Sequence, residues 1–366
     1  MTITTMILNS KNHALLCGNN TKTKRMLISN LVKEASHNNI PSLVFDSTGR
    51  LLSYADPFTD PIIFWDMENK SGLPFCLSVD SLDPELSGSL FHLPLPQKQA
   101  LALLLKEVKN KNIPLSTMDD LICLCDEAVN NYDTLPALNQ TTAKASLVAL
   151  KRRLNSLKDR DLSCLFYPLP LAHEDLLVMD EKGRTPIHTV DFRLLLSDRV
   201  YHKNILTYHL KKLEEGLDDF PLKNGASFLV ILDEADHLLD AMNKEETLAF
   251  IRLLRSLKDK GAICLLLCEN LAGLSDEFLQ ILPLKLMTSP GDYPYDDKTM
   301  KKADKFFPPF SSAPLSKELA VKKADTLYYN SLDTKGNFTS LLECIHTGQG
   351  EIILSDSEKR KLADRS

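Results

Sequence analysis

The chain has 366 residues, of which 43% are hydrophobic and 25% are charged. These are ordinary values for a globular protein that buries a core, and the length allows one large domain with an insertion or two domains. The net charge of −6 gives no global basic field for nucleic acid, and no apolar run reaches the ~18 residues that span a bilayer. We expect a cytoplasmic protein without a membrane partner; nucleic-acid binding stays open but is unsupported by the charge.

Strands and helices are predicted to alternate along the chain, from apolar runs and from helical spacing of apolar residues. The predicted strands are His13–Cys17, Ser42–Asp46, Pro61–Asp66, Ile187–Phe192, Phe228–Asp233, Ala262–Leu267 and a late, closing strand Gly350–Leu354. The predicted helices are Lys22–Asn38, a helical stretch between Pro96 and Leu157, Asn204–Leu217 and Lys244–Lys258. A βαβ beginning predicts an α/β fold with a mainly parallel sheet flanked by helices and a site at the carboxyl ends of the strands.

The same pattern predicts four segments. Residues 1–92 form the first part of an α/β core, 93–161 an all-helical insertion, 162–355 the second part of the core and 356–366 a charged tail. Glu358–Ser366 has no core-forming residues, so we expect a frayed end. Met287–Pro314 is rich in proline, aspartate, lysine and aromatic residues and is predicted to be a surface excursion.

The segment after the first strand has the spacing of a phosphate-binding loop. Such loops read Gly-x-x-x-x-Gly-Lys-Ser/Thr, where backbone N–H groups face the phosphates, the lysine reaches the outer phosphates and the hydroxyl binds magnesium. Gly18 and Lys24 are kept, but Thr23 replaces the second glycine and Arg25 replaces the hydroxyl. A β-branched threonine resists positive φ, and an arginine cannot ligate a cation. Taken alone, a polar turn between strand and helix explains the segment equally well.

The strand Phe228–Asp233 carries two carboxylates at its tip, Asp233 and Glu234. In a nucleotide enzyme Asp233 would hold magnesium through water and Glu234 would polarise the attacking water. The alternative is an aspartate that caps the following helix, and the α/β order favours the nucleotide origin. The run Asp233–Asp236 reads as in DEAD-box RNA helicases, but their Ser-Ala-Thr and arginine-rich motifs are missing, and a second RecA-like domain has no room.

The order of motifs from His13 to Leu354 resembles the HerA/FtsK superfamily of P-loop ATPases, in particular the YjgR-like, HerA-type helicase C-terminal branch. The segments that carry this resemblance are Gly18–Arg25, Pro41–Asp46 with Gly49, Pro61–Asp66, Phe228–Glu234, Ile251–Ser256, Gly261 and Gly348–Glu351. The resemblance implies a RecA-like P-loop NTPase fold with a degenerate Walker A motif. It also implies a ring or other oligomer, or an assembly with other proteins.

Against that family, further nucleotide-facing positions are changed. Glu269 stands where these ATPases carry a glutamine that senses the terminal phosphate, and it would bring a negative charge toward a polyanion. Lys285 is the basic residue in the region where relatives present an arginine to a neighbouring subunit, and a lysine cannot make the forked contact of a guanidinium. The family's Asp-x-Lys-Gly turn is replaced by Asp46–Gly49.

These changes predict a hydrolysis-impaired, HerA-like P-loop protein that acts as a scaffolding or regulatory subunit. The predicted nucleotide-binding residues are Gly18, Thr23, Lys24 and Arg25; the catalytic positions are Asp233, Glu234 and the sensor position Glu269; Asp233 is the candidate magnesium ligand, through water. Two alternatives stay open. One is an active ATP-dependent DNA translocase in which Arg25 replaces the metal's charge. The other is a protein-interaction module without nucleotide, whose exposed helical insertion docks a partner. A loop closed by Arg25 against Glu234 or Glu269 would favour it.

The remaining signals are weaker. The eight cysteines have no zinc-site spacing, so we expect reduced, mostly buried thiols. The basic clusters Lys151–Arg153 and Lys301–Lys305 are predicted to be solvated, and the pair Tyr328 and Tyr329 is predicted to pack in the core.

Overall fold

A large, mainly parallel sheet is the centre of the fold in the computed structural model of the chain. The structure describes residues 2–68, 70–77, 79, 82, 84–134, 142–158, 166, 176, 179–180, 182–217, 225–307, 314–319, 326–332, 338–345 and 350–363. Within these residues the strands are β1 (Ala14–Cys17), β2 (Ser42–Asp46), β3 (Ile62–Asp66), β4 (Leu73–Pro74), β5 (Ile187–Asp191), β6 (Phe228–Leu232), β7 (Ala262–Cys268), β8 (Leu284–Thr288), β9 (Thr326–Leu332) and β10 (Phe338–Cys344). Their order across the sheet is β10-β9-β8-β1-β7-β6-β2-β5-β3-β4.

Helices cover both faces of this sheet. They are α1 (Ile3–Asn9), α2 (Thr21–His37), α3 (Pro84–Leu90), α4 (Leu95–Lys111), α5 (Met118–Asn130), α6 (Lys144–Lys158), α7 (Arg199–Gly216), α8 (Ala235–Asp240), α9 (Lys244–Asp259), α10 (Asp276–Gln280), α11 (Asp297–Phe306), α12 (Leu315–Leu319) and α13 (Asp356–Ala363). The predicted α/β class is confirmed, because the strands from β1 to β8 pair in parallel. Helices α4, α5 and α6 lie within residues 93–161, the predicted all-helical insertion. The four segments and their boundaries stay predictions, and residue 161 lies outside the described part.

The continuous apolar runs of the strands have a simple physical cause. A parallel sheet covered on both faces buries every side chain of its inner strands, so these strands are not expected to alternate with polar residues. All four residues of β1 and all seven of β7 are buried. Successive residues of β1 point to opposite faces: Leu15 belongs to the core on the side of the helical insertion, and Leu16 belongs to the core under α2.

The prediction for the closing strand was wrong. No strand is assigned in residues 350–355 of the described chain; this segment is extended, and its Ile352 N–H donates to the Ser53 carbonyl at 2.6 Å. The sheet is closed instead by β9 and β10, which pair with each other in antiparallel fashion, and β9 pairs with β8 in the same sense. Tyr328 and Tyr329 lie in β9 and are buried, which confirms that they pack in the core. Gly348 and Gln349 lie outside the described residues.

The charged C-terminal segment is also ordered, contrary to the prediction of a frayed end. Helix α13 packs its Lys359 into a buried position, where the ammonium donates to the Gly49 carbonyl at 2.9 Å. Arg360 donates to the Gly72 carbonyl, and Asp356 pairs with Arg193 at 2.9 Å. Long cationic side chains thus anchor a helix that has few apolar residues. Residues 364–366 of the predicted tail lie outside the described part.

The histidine at the centre of β5 gives a testable pH dependence. His188 is fully buried; its Nδ1 accepts a hydrogen bond from Trp65 Nε1 at 3.0 Å, and its Nε2 lies 3.2 Å from the Leu176 carbonyl. Burial lowers the pKa of His188 to about 4. In the unfolded chain this histidine takes up a proton near its ordinary pKa of 6.5. The neutral, buried His188 therefore stabilises the folded state above that pH, and this stabilisation is lost as the pH falls toward about 4.

We therefore expect the unfolding free energy of His188→Gln to fall less steeply with decreasing pH than that of the wild type. Between about pH 7 and pH 5 the wild type should lose about 1–2 kcal/mol of unfolding free energy that the variant does not lose. Urea unfolding at both pH values measures this difference. His37→Gln is the matched control, since His37 is exposed at the end of α2. Equal pH slopes for wild type and His188→Gln would contradict the assignment.

Candidate functional site

The predicted phosphate-binding segment lies at the carboxyl end of β1, in the middle of the sheet between β7 and β8. The Gly18 N–H donates to the Cys268 carbonyl at 3.0 Å, so the glycine is tied to the neighbouring strand. Helix α2 already begins at Thr21, and the side chain of Asn20 caps it by accepting from the Thr23 N–H at 3.1 Å. Thr23, Lys24 and Arg25 therefore stand in the first turns of a helix, after the short connection Gly18–Asn20.

Lys24 and Thr23 point into the protein. Lys24 is buried, and its positive charge acts on both Asp233 and Glu234, whose carboxyl pKa values it lowers against larger opposing effects. Within the described residues its ammonium has no ion pair or hydrogen bond. The Thr23 hydroxyl is buried as well and has no hydrogen-bond partner there. The structure thus brings the predicted lysine to the predicted carboxylates.

Asp233 follows β6 and is only 4% exposed. Its N–H donates to the Phe45 carbonyl at 3.2 Å, which fixes the backbone against β2, while its carboxyl Oδ2 has no hydrogen-bond partner in the described structure. Burial raises the pKa of Asp233 to about 8; the charges of Asp46 and Glu234 act in the same direction, and Lys24 opposes them. A buried carboxyl oxygen without a partner is costly, which marks a place suited to a cation or a water.

Other strand-ending aspartates show the contrast. Asp46 ends β2 and accepts from the N–H groups of Thr48, Gly49 and Leu51 at 2.7–2.9 Å. Asp66 ends β3 and accepts from three backbone N–H groups of the loop that follows, at 2.7–2.9 Å. Asp191 ends β5 and holds Arg193. These three carboxylates organise their own loops, whereas Asp233 keeps one oxygen unused.

Glu234 begins α8 in a left-handed backbone conformation, with φ of 52° and ψ of 42°. This region is unfavourable for a residue with a Cβ and is found at functional sites and in tight turns. Burial raises the pKa of Glu234, and the charge of Asp236 adds to the shift. His237 Nε2 lies 3.8 Å from the Glu234 carboxylate, an ion pair when the histidine is protonated.

Glu269, the predicted sensor position, follows the end of β7 and contacts Asp236 through its backbone. The side chain of Glu269 is exposed, and its backbone N–H donates to Asp236 Oδ2 at 3.1 Å. Asp236 therefore links α8 to the end of β7, a role that was not foreseen, because the sequence gives no sign that these two segments meet. The charge of Glu269 still reaches Glu234, whose pKa it raises slightly.

Arg25 and Lys285 are each held by contacts within the chain. The Arg25 guanidinium forms an ion pair with Glu351 at 2.8 Å, and Glu351 also accepts from the Ser53 hydroxyl at 3.2 Å. Arg25 thus binds the C-terminal segment, and its partner among the described residues is neither Glu234 nor Glu269. Lys285 is buried in β8 and donates to the Leu282 carbonyl at 2.6 Å, so it does not extend toward a neighbouring molecule. Burial lowers the pKa of Lys285 to about 8.

The end of β8 and the residues after it cover the phosphate-binding segment. The Gly291 N–H donates to Asn19 Oδ1 at 2.8 Å, and Asn19 Nδ2 donates to the Tyr293 carbonyl at 2.8 Å. The Tyr295 hydroxyl donates to the Thr288 carbonyl at 3.0 Å. These residues belong to the predicted surface excursion, which also contains α11. Its contact with the loop was missed, because the two segments are far apart in sequence.

The chemistry of the donors limits which metal fits. Magnesium is bound by few protein carboxylates and completes its shell with water and phosphate oxygens. Asp233 fits that demand through its unused oxygen, and the buried hydroxyl of Thr23 is a further oxygen without a partner. No cluster of three or more histidine, cysteine, aspartate or glutamate side chains able to hold a metal is found in the described residues. The residues therefore fit magnesium brought with a nucleotide, and the assignment of each site residue stays a prediction.

The basic clusters are partly neutralised. Lys151 pairs with Asp126 at 2.5 Å, Lys305 pairs with Asp276, and Lys302 donates to the Ala272 carbonyl at 3.1 Å. None of the helices in the described part of the chain is long and apolar enough to cross a membrane.

The fold is found in solved structures. VirB4 of Thermoanaerobacter pseudethanolicus superposes with a TM-score of 0.58 at 15% identity, covering 87% of this chain and 86% of that one. The bacterial conjugative coupling protein TrwB, in its unbound monoclinic form, gives a TM-score of 0.63 at 11% identity, covering 94% and 87%. TrwB in complex with ADP and Mg²⁺ gives 0.61 at 11% identity, covering 93% and 87%. The fold is thus that of the RecA-like P-loop ATPases.

Among curated protein sequences, none matches this chain significantly. The family model described as "Helicase HerA-like C-terminal" matches residues 47–339, which is well over half of the chain. Together with the P-loop ATPase fold, this match confirms the resemblance inferred from the order of the motifs. The chain belongs to the HerA-like helicase C-terminal family.

Proposed function

We propose that this protein is a hydrolysis-impaired member of the family that serves as a scaffolding or regulatory subunit of a larger assembly, as a homo-oligomer or with other proteins. One observation carries the proposal: at the position where a working phosphate loop has its magnesium hydroxyl, Arg25 is paired with Glu351 at 2.8 Å. The loop therefore supplies neither a metal ligand nor a free cation at that point. Among the described residues at this edge, Asp233 keeps a carboxyl oxygen without a hydrogen-bond partner.

Two further features support impaired turnover. The side chain of Asn20 accepts from the Thr23 N–H, so a donor that a phosphate would need is already used. Glu269 adds a negative charge near Glu234 rather than an amide that could contact a phosphate. Catalysis of phosphoryl transfer depends on positioned donors and metal that offset the developing charge, and each of these changes removes part of that set.

The second candidate is an active ATPase or DNA translocase with an atypical site. The observation that favours it is the retained pair of Lys24, buried without a bonded partner, and Asp233, with its orphan oxygen. ATP and magnesium are the cofactors of this candidate; magnesium would neutralise charge beside Asp233, and Lys24 would hold phosphate. Calorimetry with ADP, with and without magnesium, separates a magnesium-independent binding role from a catalytic one.

Steady-state hydrolysis of magnesium ATP tests the proposal. We expect turnover by the wild type below about 0.01 s⁻¹, against the ~1–1000 s⁻¹ of typical enzymes, and no further loss in Lys24→Ala or Glu234→Gln. The double variant Thr23→Gly with Arg25→Thr restores the loop pattern and is expected to raise turnover. Magnesium-dependent turnover in the wild type that both single substitutions abolish would instead establish the active ATPase.

A further inference from the structure

The segment Ser289–Tyr295, here called the strap, connects β8 to the cap of α11 and lies on the phosphate-binding segment. It starts from a fixed point, because Ser289 is fully buried and its N–H donates to the Thr326 carbonyl of β9 at 2.8 Å. Its middle is at the surface, where the Tyr293 side chain is 78% exposed. Its end returns to the loop through Tyr295, which packs partly against the main core.

Asn19 is clamped by the strap from both ends of its side-chain amide. Its Oδ1 accepts from the Gly291 N–H at 2.8 Å, and its Nδ2 donates to the Tyr293 carbonyl at 2.8 Å. The contact is close: a Cβ on Gly291 would stand 2.7 Å from the Asn19 carbonyl oxygen. The strap therefore follows the loop backbone closely and leaves no space between them for a ligand.

The phenol of Tyr295 takes the position above Gly18. A Cβ on Gly18 would lie 2.6 Å from the phenol oxygen and 2.0 Å from Thr288 Oγ1, so only a glycine allows this approach. The phenol donates to the Thr288 carbonyl at 3.0 Å, and its oxygen lies 3.0 Å from Thr288 Oγ1. In a phosphate-binding loop, the backbone N–H groups that follow the first glycine are the donors for phosphate oxygens.

The phenol of Tyr295 is an uncharged group that lies against Gly18, where the loop backbone begins. Hydrogen bonds from loop N–H groups to a charged phosphate are strong, so a phosphate can compete with the strap for this place. Any such ligand must first move the strap, and its apparent affinity falls by the fraction of molecules in which the strap is open.

We propose that the strap is a built-in plug that holds the phosphate-binding segment closed, and that the phosphate groups of a nucleoside diphosphate or triphosphate displace it. The inference rests on the proposed function in one respect, namely that Lys24 and Asp233 remain as a nucleotide-binding skeleton. It adds regulation: whatever pulls the strap away, including a partner that binds the exposed Tyr293, exposes the site.

Calorimetric titration with ADP tests the plug without requiring hydrolysis. Tyr295→Phe keeps the ring and removes the phenol oxygen, and Asn19→Ala removes both clamping hydrogen bonds. We expect each to tighten ADP binding at least about fivefold relative to wild type, the effect of losing one to two hydrogen bonds that favour the closed state. Tyr293→Phe is the matched control, because it removes an exposed phenol from the same strap, and it should bind as the wild type does. Thermal unfolding of each variant verifies that it is folded.

Hydrogen exchange at the Gly291 amide provides the second measurement, since this N–H is protected by Asn19. Saturating ADP should accelerate its exchange in the wild type at least about fivefold. ADP binding that leaves the Gly291 amide protected, or Tyr295→Phe and Asn19→Ala proteins that bind no tighter than wild type, would overturn the plug. If no protein binds ADP at about 1 mM, the plug is overturned while impaired hydrolysis stands. Rapid turnover by the wild type would overturn the proposed function, and the ADP and exchange results would still decide on the plug.

Discussion

Asp233→Asn is expected to stabilise the protein at alkaline pH and to change little in acid. In the folded state the pKa of Asp233 is raised to about 8, mainly by burial, whereas the unfolded chain releases this proton near the ordinary value of 3.8. The folded state therefore binds more protons than the unfolded state between these values, and the stability from Asp233 is lost as the pH rises toward 8. An asparagine does not ionise, so it avoids that loss.

The expected difference is large. A shift of this size corresponds to several kcal/mol, and after relaxation of the buried site we expect Asp233→Asn to exceed the wild type by about 2–4 kcal/mol near pH 8. Guanidinium unfolding in the presence of a chelator, from about pH 5 to pH 8.5, measures the difference as a function of pH. If the Asp233 carboxylate holds the ion, magnesium with ADP should reduce the difference in unfolding free energy between Asp233→Asn and the wild type, because binding stabilises the folded wild type.

Asp66→Asn is the matched control for this experiment. Asp66 also ends a strand and is buried, but its carboxylate accepts backbone N–H groups of Glu68, Lys70 and Ser71. Substitution there should destabilise the protein by about 1–3 kcal/mol, since buried donors lose a charged acceptor. If Asp233→Asn behaves like Asp66→Asn, the unused oxygen of Asp233 has a partner, and the candidate metal position is wrong.

Gly18→Ala is expected to destabilise the protein by about 3 kcal/mol or more. The backbone at Gly18 has φ of 150°, which a residue with a Cβ rarely adopts, and the added atom would stand 2.0 Å from Thr288 Oγ1 and 2.9 Å from Thr288 Cβ. The side chain of Thr288 cannot move away freely, because Thr288 is buried in β8 beside β1. Denaturant unfolding at neutral pH measures the loss.

Substitutions at two other glycines distinguish the cost of backbone strain from the cost of steric crowding. Gly183 has φ of 70° with nothing within 4 Å of an added Cβ, so Gly183→Ala should cost only the backbone strain, about 1 kcal/mol. Gly350 has open space and no positive φ, so Gly350→Ala should be neutral. A second substitution, Thr288→Ala, should recover part of the loss in Gly18→Ala through non-additive coupling. A loss at Gly18 no larger than that at Gly183 would show that the end of β8 does not press on the loop.

Much of the fold and some of the site were predictable from local patterns. The continuous apolar runs of β1, β6 and β7 identify buried parallel strands, because only such strands tolerate apolar residues on both faces. The carboxylates at the end of Phe228–Asp233 lie at the same edge of the sheet as the segment after β1, and Lys24 lies close enough to Asp233 to lower its pKa. The family followed from the order of these segments.

The errors have a common cause. Gly350–Leu354 reads as a strand from its composition, yet its Ile352 N–H bonds to the Ser53 carbonyl in the segment after β2 and not to a strand of the sheet. Helix α13 was missed because its anchors are Lys359 and Arg360, whose cationic ends bond to carbonyls distant in the chain. Propensity and periodicity describe a segment by itself and carry no information on such partners.

The amino-acid sequence alone was enough to specify the residue types: which strands are buried, which carboxylates end them, and that Thr23 and Arg25 stand on either side of Lys24. The tertiary structure decided which groups meet. It paired Arg25 with Glu351, left one oxygen of Asp233 without a partner among the described residues, and placed the strap against Asn19. These contacts join residues that are 272 and 326 positions apart, and chain folding, rather than local pattern, brings such residues together.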